Sequence, residues 1–301
     1  MSGYGVKDST GKSLFTLALI TVASFGFLFY WNVFSLLEVA SASFQSSFLP
    51  NMFIILWRMF CFFIGVSAIV YMFRMNTGTM VVLDHELRSE KTLHPLGIKK
   101  FVTFSSWTLL CNVIYFFLAT FSSLSQSLSF PFPSWLNIIH ILFFSTALGS
   151  AFLTSTIIRY IILPSEVKQQ REHQHQFYFH NQIMHNFGTI FLGVEIILVQ
   201  PELQPHFAIF GLFFGALYAL FAYLFAYYGG GYYVYSFIDP RLKLAPIFVC
   251  GLATAISIFY LGIWLLTVLI SFNAYLGSIG ILVWITLIVQ FRQEHFEQIE
   301  Q

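Results

Sequence analysis

Between Lys12 and Glu38 the chain runs for about 25 residues without a charged side chain, and runs of similar length recur towards its end. In helical form such a run is a membrane crossing, because about 20 residues at 1.5 Å each traverse roughly 30 Å of hydrocarbon. Strands of a membrane barrel would instead alternate apolar and polar residues over about ten positions. Only 9% of the residues are charged, against about 25% in a soluble domain, so water cannot be the solvent for most of this surface. The chain therefore reads as an all-α, polytopic membrane protein forming one membrane domain over residues 1–301.

Eight crossings are expected, at about 14–38, 52–73, 102–124, 135–163, 181–200, 206–229, 245–269 and 272–291. The segment SFNAYLGSIG (271–280) reads either as a tight turn or as the start of a final helix, so seven crossings are the alternative. The first run follows Lys7 and Lys12 as a signal sequence would. Its length and the lack of a small-x-small exit favour a retained signal-anchor helix.

Lysine and arginine set the orientation. With eight spans, thirteen of the fourteen basic residues fall on one side, and the opposite loops (39–51, 125–134, 201–205 and 270–271) hold none. Misplacing a span would scatter these charges, so the segregation supports the count as well. Both termini are expected on the basic side, cytosolic or matrix. The membrane would be the endoplasmic reticulum or another endomembrane, with the mitochondrial inner membrane as the alternative. A net charge of +1 gives no electrostatic case for nucleic acid. Cys61, Cys111 and Cys250 all lie in apolar segments and read as buried small hydrophobes rather than a disulfide scaffold.

Ionisable groups inside a span are costly unless partnered, and so raise a question of function. IMHNFGTIFLGVEIILV (183–199) carries two, His185 and Glu195. The span model puts Thr103 and Ser105 at the basic-side start of the third span and His185 one turn into the fifth. Asp239 and the aromatic run YYGGGYYVYSFIDP (227–240), with Tyr235, follow the sixth span on the same side. A hydroxyl, an imidazole and a carboxylate at one depth are the set needed for nucleophilic attack with a general base and an orienting acid. Hydroxyls bonded to their own helix are the competing reading.

Glu195 lies about 15 Å deeper than His185 and roughly 80° around the helix, so the two cannot touch. Arg58, Asn112 and His140 are the other polar groups inside spans, and Arg58 is a possible partner for Glu195 if the helices cross suitably. REHQHQFYFH (171–180) supplies His173, His175 and His180, but no HExxH or CxxC accompanies them. A polar interfacial loop is preferred there to a metal site, and no cofactor is expected. Gly229, Gly230 and Gly231 read as the cap of the sixth span, with Tyr232, Tyr233 and Tyr235 anchored among headgroups.

Three segments in order, KKFVTFSSWTLLCNVIYFFLATFSSL, IMHNFGTIFLGVEIIL and GYYVYSFID, resemble the androgen-induced and androgen-dependent transmembrane hydrolase family. The resemblance covers about residues 52–270, leaving 14–38 and 272–291 as additional helices. It implies a threonine-type hydrolase that cleaves fatty acid esters of hydroxy fatty acids within the membrane. Carried over by motif, Thr103 is the nucleophile, His185 the base and Glu195 a matching family glutamate. Aligning instead on VIYFF, with Asn112 as the polar residue seven positions on, makes Ser105 the nucleophile. Tyr227 and Tyr228 stand where the family often has a histidine, and Ser236 where it has a proline. Expected partners are membrane lipids and a lipid ester, whose affinity would rise by about 0.8 kcal/mol per buried CH₂. The alternative is an inactive relative serving as a subunit of a larger membrane complex, docking other membrane protein subunits through the added helices. A transporter would want more polar groups along several spans.

Overall fold

The computed structural model describes residues 8–41, 43–44, 49–76 and 78–292; Lys7 of the basic set lies outside them. The helices are α1 (Thr10–Tyr30), α2 (Val33–Ser41), α3 (Asn51–Arg74), α4 (Phe104–Ser127), α5 (Ser134–Ile157), α6 (Leu163–Lys168), α7 (Phe179–Gln182), α8 (Gly188–Val199), α9 (Ile209–Leu224), α10 (Ala245–Phe272) and α11 (Ala274–Ile288). Wide π turns at Ile158–Ile162, Ile183–Phe187 and Phe225–Gly229 join α5 to α6, join α7 to α8 and extend α9. Among the described residues, seven helical segments are long and apolar enough to cross a membrane: Thr10–Tyr30, Asn51–Arg74, Phe104–Ser127, Ser134–Lys168, Phe179–Val199, Pro205–Gly229 and Ala245–Phe272. The protein is an all-α, multi-pass integral membrane protein.

The first predicted span, 14–38, is not one helix. Asn32 adopts a left-handed backbone, φ 45°, which its short polar side chain tolerates better than most residues would, and the chain restarts as α2. Val33, Leu37, Ala40 and Phe44 form a buried stripe at helical spacing. That stripe closes on the start of α5, where Phe44 meets His140 and Phe144 edge-on.

The final predicted span is a 15-residue helix, α11, about 22 Å long at 1.5 Å per residue. It starts at Asn273, whose side chain accepts the Leu276 N–H, and folds back along α10. Arg159 Nη1 donates to the carbonyls of Thr286 (3.2 Å) and Val289 (2.5 Å), and Tyr160 to that of Leu287 (2.5 Å). A cation on the last carbonyls of a helix offsets its dipole. Asn186 and Gln290 exchange two hydrogen bonds, 2.7 and 3.0 Å. Arg159 and Asn186 belong to the basic end of the bundle, so α11 returns to that end despite its length.

Close approach of helices depends on glycine, as two positions show. A Cβ on Gly149 of α5 would sit 2.5 Å from the Ile256 carbonyl of α10, and one on Gly215 of α9 would sit 2.7 Å from the Ala253 Cα. Small residues are what let membrane helices pack backbone to backbone. Cys61 and Cys111 are buried, whereas Cys250 is exposed, contrary to expectation. It lies off the Val249, Ala253, Ile256, Tyr260 and Ile263 face that packs inward, and because α10 is apolar all round its sequence does not declare that face.

At the basic end a small antiparallel sheet forms, in the order β2-β1-β3, from β1 (Met80–Asp84), β2 (Glu90–Leu93) and β3 (Tyr232–Tyr233). Leu83 pairs with Glu90 on one side and Tyr233 on the other. Tyr232 and Tyr233 are therefore buried in a sheet rather than anchored among headgroups. Asp84 closes the β1–β2 turn by accepting the Glu86 and Leu87 N–H groups, both at 2.9 Å, and pairing with Lys91 at 2.5 Å.

Candidate active site

Residues Gly97–Val102 form a 3-10 turn that ends in extended backbone at Thr103, where α4 begins. Thr103 is the N-cap of that helix: its Oγ1 accepts the Ser106 N–H at 3.2 Å. The same oxygen lies 2.7 Å from Ser106 Oγ and 3.2 Å from Ser105 Oγ. Ser106 in turn donates to the Lys100 carbonyl at 3.2 Å. Three hydroxyls thus converge at the positive end of a 24-residue helix, where the dipole favours negative charge on oxygen.

His185 is carried by the π turn between α7 and α8. The widened turn re-registers the backbone bonds, and the Gly188 N–H reaches back five residues to the Ile183 carbonyl. Ser155 of α5 donates its hydroxyl to the His185 carbonyl and lies 2.6 Å from Thr189 Oγ1. This is the way membrane helices satisfy carbonyls freed by an irregular turn. His185 is 5% exposed, and its Nδ1 is buried with no hydrogen-bond partner.

Thr103, Ser105, Ser106, His185 and Tyr235 line one cavity of about 720 Å³ at the basic end. That volume lies within the range of small-molecule sites, about 300–1,000 Å³. No hydrogen bond joins His185 to Thr103 or Ser105; they share the cavity. Tyr235 accepts the Phe104 N–H at 3.3 Å, and burial pushes its phenol up to about 12. Lys100, Glu166, His175, Gln176 and His180 also line the cavity and were not expected to join the site. Burial pulls both Lys100 and His175 below their ordinary values. Lys100 donates to the Met75 carbonyl at 2.5 Å.

The two predicted carboxylates are elsewhere. Asp239, fully buried, is held by Arg241: Nε to Oδ1 at 2.8 Å and Nη2 to Oδ2 at 2.7 Å. Arg241 also donates to the His85 carbonyl at 2.6 Å, so this pair fastens the 232–241 segment to the β1–β2 hairpin. It does not orient His185. Glu195 pairs with Arg58 across α8 and α3: Oε1 accepts from Arg58 Nε and Nη2, both at 2.7 Å, and from the Tyr115 hydroxyl at 2.9 Å. Arg58 further donates to Ser123 (2.5 Å), the Ala119 carbonyl (3.3 Å) and the Phe44 carbonyl (3.0 Å). Glu195 is therefore an interior tie between helices rather than a group of the cavity. Asn112 bonds the Thr108 carbonyl at 3.0 Å and stands beside Gly188, at the end of the π turn.

Among the described residues, no three His, Cys, Asp or Glu side chains gather to hold a metal ion. No family model, curated protein or solved structure matches the chain. The likeness to the transmembrane hydrolases therefore rests on the three quoted segments alone.

Proposed function

We propose that the protein is a membrane-embedded hydrolase of lipid esters, of the kind that cleaves fatty acid esters of hydroxy fatty acids. One observation carries this reading: Thr103, Ser105 and His185, distant in sequence, line a single cavity at the basic end of the bundle. A hydroxyl of the Thr103 cluster attacks the ester carbonyl carbon, and its proton passes to the His185 imidazole. The tetrahedral intermediate collapses, the alcohol leaves with the proton returned from the imidazolium, and an acyl-enzyme remains. Water, deprotonated by the same imidazole, releases the fatty acid. The N-terminal dipole of α4 favours the oxyanion. Apolar wall residues such as Met72, Ile162 and Met184 suit an acyl chain. The basic loops support an orientation with the cavity on the cytosolic side of the endoplasmic reticulum or another endomembrane, or on the matrix side if the membrane is the mitochondrial inner membrane.

The test is fluorophosphonate labelling of purified protein, comparing wild type with Thr103→Ala, Ser105→Ala and His185→Ala. Loss of labelling with His185→Ala and one hydroxyl variant supports the reading and assigns the nucleophile. A folded wild type that neither labels nor cleaves a hydroxy-fatty-acid ester overturns it. The alternative, a subunit held in a larger membrane complex, then takes precedence.

A further inference from the structure

Tyr227 and Tyr228 close the crossing segment Pro205–Gly229 at the basic end of the bundle, in the π turn Phe225–Gly229. Unlike Tyr232 and Tyr233, they stay out of the sheet and are 69% and 79% exposed. Their rings meet nearly at right angles, with centroids 4.8 Å apart and an interplanar angle of 73°. The His85 ring stands against Tyr227 in the same manner, at 5.8 Å and 80°. The His85 N–H donates to the Gly231 carbonyl at 2.9 Å, and its Nδ1 lies 3.2 Å from the Tyr233 hydroxyl. These bonds fix the hairpin against the end of the crossing. His85, Tyr227 and Tyr228 all line a recess of about 320 Å³. It shares no lining residue with the cavity of Thr103 and His185.

Asp84, Glu86 and Lys91 line the same recess. Asp84 is matched by Lys91 at 2.5 Å, whereas Glu86 is exposed and makes no ion pair among the described residues. Perpendicular aromatic walls beside an uncompensated carboxylate suit a large, weakly hydrated cation. Ring faces attract positive charge, and a quaternary ammonium has no N–H group to leave unsatisfied. Depth narrows the source, because tyrosines at the end of a crossing lie among lipid headgroups. We propose that this recess binds the trimethylammonium group of a choline-headgroup phospholipid in the leaflet at the basic end. An ethanolamine lipid is held less well, since its primary ammonium gives up water from three N–H donors for ring faces that cannot replace it. An anionic lipid meets the Glu86 carboxylate. The site stands independently of the hydrolase reading.

The experiment equilibrates the full chain in detergent with equimolar phosphatidylcholine, phosphatidylethanolamine and phosphatidylglycerol of identical acyl chains. Native mass spectrometry then counts the lipids retained. Wild type is compared with the double variants Tyr227→Leu/Tyr228→Leu and Tyr227→Phe/Tyr228→Phe. Both side chains are exposed, so the substitutions leave the core alone, and the Phe pair keeps the ring faces while losing only the hydroxyls. Wild type and the Phe pair should retain the choline lipid above the other two. The Leu pair should lose about fivefold or more of that excess, each exposed ring being worth a factor of about two to five for a cation. Equal retention of the three lipids by wild type, or a Leu pair that keeps the wild-type preference, overturns the proposal. Free phosphocholine is the second arm. If it displaces the choline lipid at equal concentration, the occupant is a soluble choline compound and the lipid assignment falls; failure to displace supports the lipid.

Discussion

At the scale of single residues, the Arg58–Glu195 pair dominates the interior. Both side chains are essentially inaccessible, so removing one leaves an uncompensated charge among apolar helices. Glu195→Leu should destabilise the protein by about 3–5 kcal/mol, whereas Arg58→Met combined with Glu195→Leu should cost far less. Unfolding in mixed micelles with rising SDS fraction measures both, and equal losses in the single and double variants would contradict the pairing. Asp84 offers a second test, outside the membrane. The Leu87 N–H above all, and then Lys91, hold its carboxyl down at about 2. A carboxylate depressed in the folded state stabilises above its unfolded value, near 3.8, and loses that contribution as pH falls towards 2. The melting temperature of wild type should therefore drop between about pH 4 and pH 2 more steeply than that of Asp84→Asn.

At the scale of elements, the helix contacts make opposite predictions for glycines that look alike in sequence. Gly215 of α9 is pressed against the Ala253 backbone, while Gly251 of α10 has nothing within 4 Å of where a Cβ would stand. Gly215→Ala should destabilise by about 1–3 kcal/mol through overpacking. Gly251→Ala should be neutral or stabilising by up to about 1 kcal/mol, from helix propensity. The same SDS titration separates them, and equal effects would mean that α9 and α10 do not pack as described. This contrast also marks the limit of what the sequence discloses. Spans were legible because hydropathy is a property of each residue and needs no partner. Facing was not, because α10 is apolar all round, and so Cys250 was misassigned to the interior. The break at Asn32 and the three π turns were hidden for a related reason. Each depends on what satisfies the displaced backbone, such as the Ser155 hydroxyl on the His185 carbonyl. The depth shared by Thr103 and His185 could be read from charge segregation alone. That Asp239 turns to Arg241 could not, because it is a side-chain choice between neighbours.

At the scale of the whole molecule, the return of α11 to the basic end sets a topology that labelling can check. In a cysteine-free background, Ser89→Cys and Gln290→Cys should react with an impermeant maleimide from the same side of sealed vesicles. Ser129→Cys and Glu202→Cys should react only from the other side. Reaction of Gln290→Cys with the second group would mean that α11 fails to cross.

The stripe of α2 that closes over the start of α5 also makes the molecule asymmetric across the bilayer. One end is stoppered by Val33, Leu37 and Phe44, and the other holds the cavity. A cavity at one end of the bundle exchanges its contents with the leaflet and compartment on that side. Turnover there would be vectorial: a lipid delivered to the opposite leaflet must first be flipped by something else, and its products would be released where they entered. Such a protein would report the supply of lipid to one monolayer rather than its abundance in the membrane.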